Sequence, residues 1–123
     1  MNRTKINYLD LNARAQENFL YAKLSSDLAN YGYACLRLSD DYNGADLIAL
    51  REDEDAMHIQ LKGRVTIKPE YMGKGLYMGF PINGEFYVML HDDLVAICGD
   101  RGYLETRSWR EQGKWHVGNP PKA

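Results

Sequence analysis

The 123-residue sequence is poor in cysteine, histidine and proline and has no long apolar run. Each shortage closes off a class of protein. Cys35 and Cys98 stand far apart among apolar or strand-forming neighbours, with no Cys-x-x-Cys and no histidine at metal spacing. A disulfide scaffold or a zinc site needs more than this, so both are expected to be reduced core thiols. His58 reads as a packed or surface residue, and His91 and His116 have no evident partners. No stretch reaches the ~20 apolar residues of a membrane helix, and Met1 to Lys5 lead into polar sequence without the apolar core of a secretion signal. A soluble, cytoplasmic protein with no membrane partner is expected. The segment Gly73-Lys74-Gly75 lacks the length and the following Ser or Thr of a phosphate-binding loop, which disfavours nucleotide hydrolysis.

Charge of either sign is also scarce in the net: 15 Lys and Arg against 17 Asp and Glu leave −2. The distribution is uneven, however. Residues 40–55 hold Asp40, Asp41, Asp46, Glu52, Asp53, Glu54 and Asp55 against Arg51 alone, whereas 62–74 and 101–123 are basic. The loop from Glu52 to Asp55 reads best as a solvated hairpin loop, and the basic segments as candidate phosphate contacts.

What is present suits one compact domain: 45% apolar and 26% charged residues argue against disorder, and no repeat or linker divides the chain. Leu11 to Tyr31 reads as a helix, with Phe19, Leu20, Ala22, Leu24, Leu28 and Ala29 recurring near helical spacing and Gly32 ending it. Ala34 to Leu38 is a first strand, and Ser39 to Gly44 a polar turn. Gly75 to Pro81 and Glu85 to Leu90 flank Asn83-Gly84, which favours a type I′ hairpin because both central residues need positive φ. Pro81 has no N–H to give, so its strand should be at an edge there or turn that position away from a neighbour. Asp92 or Asp93 can cap a short helix through Ile97, with a loop from Gly99 to Gly102. Trp109 and Trp115 belong to a C-terminal strap over 99–118 that covers the sheet or offers a base-stacking platform. The expected fold is an α/β domain with a core over about 11–98: a central mixed sheet, the first helix on one face, and the short helix and strap over the remainder.

The chemistry concentrates in residues 45–62. Asp46 heads the apolar strand Asp46 to Leu50, and Met57 to Lys62 alternates so that Met57, Ile59 and Leu61 face one way and His58, Gln60 and Lys62 the other. Pairing the two as a hairpin brings Asp46, Gln60 and Lys62 to one sheet edge. A carboxylate, a second oxygen ligand and an ammonium are what metal-assisted phosphodiester hydrolysis requires.

Gly44-Ala45-Asp46-Leu47-Ile48-Ala49 followed by Gln60-Leu61-Lys62-Gly63 resembles the PD-(D/E)xK nuclease superfamily, in its Gln-x-Lys variants, over roughly residues 12 to 98. Ala45 replaces the proline, which shapes a turn and binds nothing; Gln60 replaces the second acid and removes one negative charge from the site. The resemblance implies a restriction-endonuclease-like fold and a Mg²⁺-dependent (or Mn²⁺-dependent) endonuclease acting on DNA. Asp46, Gln60 and the main-chain carbonyl of Leu61 would hold the metal, Lys62 would handle the water, and Glu17 on the first helix would assist. Arg64, Lys68, Tyr71 and Lys74 are the expected nucleic-acid contacts, and a homodimer would supply two sites for the two strands of a duplex. The alternative is a catalytically inactive module of the same fold that binds DNA or a protein.

Overall fold

The computed structural model describes residues 3–100 and 115–117, with the backbone alone at Asp41, Tyr42, Asp100 and 115–117. Over the described residues the chain is an α/β protein built on a five-stranded mixed sheet with two α-helices.

Helix α1, Ala13–Ala29, starts where the Asn12 side chain accepts the Ala15 N–H at 2.9 Å. It ends at Gly32, whose φ of +85° only glycine adopts freely, with Tyr33 N–H donating to Leu28 O and Gly32 N–H to Ala29 O. Leu20, Leu24 and Leu28, four apart, form its single buried stripe. Ala22 and Ala29, expected to face inward, lie off that stripe and are exposed.

Strands β1 (Ala34–Tyr42), β2 (Ala45–Leu50) and β3 (Met57–Leu61) form an antiparallel meander, and β5 (Leu76–Ile82) and β6 (Glu85–Leu90) a hairpin. The two units join where β3 runs parallel to β5, giving the order β1-β2-β3-β5-β6. Between them the chain passes through β4 (Val65–Ile67) and a 3-10 turn at Pro69–Tyr71. Strand β4 pairs with β7 (Trp115–Val117) in a separate two-stranded sheet. The strap therefore joins the fold through the backbone of β7; Trp109 and the tryptophan side chains lie outside the described residues.

The hairpin follows its sequence signal, with φ of 51° at Asn83 and 83° at Gly84. Pro81 lies beyond the last β3 pairing, Leu61 with Gly79. The Gly79 carbonyl accepts Lys62 N–H, so Gly79 and, two residues on, Pro81 turn toward the β3 side, where β3 has already ended.

Helix α2, His91–Asp100, begins one residue before the acids expected to cap it and runs through Gly99. Asp92 is directed instead to the Gly73 N–H, at 3.0 Å, and the helix continues because Leu94, Val95 and Cys98 are buried on one side of it. One core layer lies under α1 and includes Leu24, Leu47, Ala49, Ile59 and Leu61; the other lies under α2 and includes Leu76, Met78, Phe80 and Leu94. Both thiols are free, as expected, and burial pushes each thiol pKa up. No helix among the described residues is long and apolar enough to cross a membrane.

Candidate active site at a strand fork

In the β2–β3 ladder Leu47 pairs with Ile59, and one further step in the same register sets Asp46 beside Gln60. The ladder stops there. The Asp46 side chain takes over: its Oδ2 accepts the Leu61 N–H at 2.8 Å, a bond a main-chain carbonyl would make in a continuing sheet. On the other side of β2, the β1 ladder is irregular between Arg37 and Tyr42, directly alongside Asp46. The core-facing alternation slips here too. Leu47 and Ala49 belong to the layer under α1, whereas Ala45, of the same parity, packs with the layer under α2. Asp46 thus sits half-buried at a fork, where β2 changes the face it presents and parts from β3.

The fork opens into a cleft of about 900 Å³, whose walls include Glu17 and Asn18 of α1, Arg37 and Asp40 of β1, and Asp46 and Leu61. Glu17, Asp46 and Leu61 of the expected set therefore line one cleft, though they are far apart in the chain. In an extended strand the N–H and C=O of one residue point the same way, so the Leu61 carbonyl faces β2 and Asp46, while Lys62 N–H turns to β5 and donates to Gly79 O at 2.9 Å. Gln60 and Lys62 do not line the cleft. Gln60 shares a register position with Met78, of the α2-side layer, which places it on the sheet face away from α1. Both side chains are half-buried.

The expected nucleic-acid contacts separate in the structure. Arg64 and Lys74 are exposed. Lys68 is held at 3.5 Å from Glu70, with its ammonium over the Tyr71 ring. Tyr71, expected to meet a nucleotide, is only 9% exposed and belongs to the α2-side core, edge-on to His91 at 5.5 Å between centroids. An apolar ring completes that core, and none of its face is left for stacking.

The acidic loop after β2 is charge-paired. Arg51 bonds both carboxylate oxygens of Asp53, at 2.7 and 2.9 Å, and reaches the Tyr31 carbonyl, while Tyr33 donates to Glu54. The Arg51 guanidinium holds the Asp53 carboxyl below its usual range, and the bond to Glu54 raises the Tyr33 phenol. At about 3.4 Å per residue the loop lies roughly 17 Å along β2 from Asp46, so it is no part of the fork.

Sequence reasoning missed three residues. Arg14 and Arg37 line the cleft; their signals were the helical spacing of Arg14 to Glu17 and the pairing of Arg37 with Leu47, next to Asp46. His91 is fully buried; its Nε2 accepts Lys68 N–H at 3.0 Å and its Nδ1 lies 3.3 Å from Asp92.

Among the described residues no three His, Cys, Asp or Glu side chains converge on a metal position. The donors at the fork are nonetheless all oxygens, and Mg²⁺ commonly takes one or two carboxylates and keeps several waters, so the donor chemistry suits that ion. Compared with family models and with curated proteins, the chain matches none.

Proposed function

We propose that the fork at Asp46 is the centre of a Mg²⁺-dependent (or Mn²⁺-dependent) site that hydrolyses DNA phosphodiester bonds, on a fold of restriction-endonuclease type. The observation that carries this reading is the Asp46 to Leu61 hydrogen bond, which ties the lone carboxylate of β2 to the middle residue of Gln-Leu-Lys, with Glu17 lining the same cleft. Asp46, the Leu61 carbonyl and Glu17 would hold the ion, while the Gln60 side chain, on the opposite face of the sheet, would take no part. When bound, the ion supplies charge stabilisation at the phosphate and a more acidic water. Asp46 would fix the oxygen set against the end of β3, and Lys62, next to Leu61 but off the cleft wall, would have to turn toward the ion to orient the attacking water or share its proton. A two-fold dimer would present two such sites to a duplex.

The test is cleavage of single-stranded, duplex and branched DNA with Mg²⁺, with Mn²⁺ and with EDTA. Metal-dependent cleavage by the wild type, abolished in Asp46→Asn, is expected; equal cleavage by that variant would remove the assignment. The neutral Gln60 in place of a second acid favours one rival, a silent module that binds DNA or a protein. Its signature is DNA binding without cleavage under either metal.

A further inference from the structure

Two arginines line the cleft alongside its acids: Arg14 in the first turn of α1 and Arg37 on β1. Neither forms an ion pair among the described residues. Arg37 is nevertheless held in place. Its Nη1 donates to Asn18 Oδ1 at 2.5 Å, and its guanidinium lies 5.3 Å from the centre of the Tyr21 ring. A guanidinium fixed by one hydrogen bond and one ring keeps most of its donor fork available and loses little further freedom on meeting an anion. Glu17, Asp40 and Asp46 would repel a phosphodiester drawn into the same cleft, and the two arginines are the charges positioned to offset them.

We infer that Arg14 and Arg37 bind phosphates of a DNA strand lying along the cleft, and that the cleft reads backbone and not base sequence. This rests on the nuclease reading of the same site. The second half follows from what the lining omits. None of the described lining residues is aromatic, so the cleft offers no stacking platform, and the Asn18 carboxamide oxygen, one half of the pair that would read an adenine edge, is committed to Arg37.

The inference is tested by equilibrium binding of the full chain to two labelled duplexes of unrelated sequence, in EDTA so that no hydrolysis occurs, across a range of salt. Arg14→Ala and Arg37→Met are each expected to weaken both duplexes alike and to flatten the slope of log K against log salt by about 0.9, the share of one phosphate contact. Arg37→Met keeps an apolar chain of similar length and removes the guanidinium, so a binding loss with an unchanged thermal midpoint reports charge and not folding. Lys23→Ala, which removes a charge of α1 outside the cleft, should bind as the wild type does. Wild-type affinity and slope in both arginine variants would overturn the inference, and a loss confined to one sequence would overturn its backbone-reading half. Asp46→Asn separates the two ideas: full cleavage by that variant sinks the nuclease reading and leaves the binding result standing, whereas unchanged binding in the arginine variants sinks this inference and leaves the cleavage result standing.

Discussion

Asp46 has one observed role, in the fold, and one proposed role, in chemistry, and substitutions can pull them apart. Its carboxylate closes the end of the β2–β3 ladder through Leu61 N–H, so removing it leaves a half-buried donor without its partner. Asp46→Ala should cost about 1–3 kcal/mol by that route, whereas Asp46→Asn keeps an oxygen for the N–H and should cost under about 1 kcal/mol. Urea unfolding of the pair checks this, and equal losses would mean that the hydrogen bond contributes nothing. Lys62→Met keeps the apolar stem and removes the ammonium; a fall in cleavage of about 10² with DNA affinity nearly kept is expected of a group that positions or shares a proton. If cleavage and affinity fall by the same factor, Lys62 is a phosphate anchor. His91 makes a third prediction. Burial pushes its pKa below 6.5, against a smaller opposing pull from Asp92, and Nε2 must stay unprotonated to accept Lys68 N–H. The unfolded chain takes up a proton near pH 6.5 that the folded chain refuses, so this group's contribution is complete above about that pH and is lost as pH falls toward the lowered folded value. Unfolding midpoints measured from pH 7.5 to 5.5 should decline in the wild type and decline less in His91→Gln. The nearness of Asp46 to the end of β3 was legible because the strand pattern on either side of the acidic loop implies a hairpin pairing. The partners of His91 were not, because Lys68 lies 23 residues away and only the packing of α2 against the crossover brings it near.

At the level of elements, close approach decides where α1 sits. A Cβ on Gly79 would stand 2.9 Å from Leu24 Cδ2 and 3.1 Å from Ile59 Cγ2, and Leu24 is only 1% exposed, so neither side chain has open space to move into. Gly79→Ala is expected to destabilise by about 1–3 kcal/mol, read as a lowered denaturant midpoint with an unchanged slope; a variant as stable as the wild type would show that α1 can ride outward freely. The Asn83-Gly84 hairpin and the α1 boundaries were legible because each rests on local backbone requirements: two positive φ values, an N-cap and a glycine stop. The end of α2 was not. Gly99 reads locally as a stop, and the burial of Leu94, Val95 and Cys98 under the sheet overrides it. The splitting of the site had a similar origin. Strand alternation correctly set Gln60 and Leu61 on opposite faces, but the slip of β2 at Asp46, which turns the carboxylate toward Leu61 and the α1-side cleft, depends on the irregular β1 ladder beside it.

For the molecule as a whole, the one parallel pairing in the five-stranded sheet has a bearing on how the chain reaches its fold. The meander β1-β2-β3 and the hairpin β5-β6 each close over short turns, whereas the β3–β5 junction must bring together strands separated by residues 62–75. The entropy of closing that larger loop is recovered only once both units exist. Folding kinetics of core variants should therefore divide along the junction: Val88→Ala, within the hairpin, should slow folding, with φ of about 0.5 or more, and Leu76→Ala, at the junction, should mainly speed unfolding, with φ below about 0.3. The reverse order would place the junction in the nucleus. Asp46 and Leu61 stand at the end of the meander, and Lys62 is anchored across the junction on Gly79. The described walls of the cleft all belong to α1 and the meander, so the cleft takes shape ahead of the junction, and Lys62 alone waits for that closure to be fixed in place.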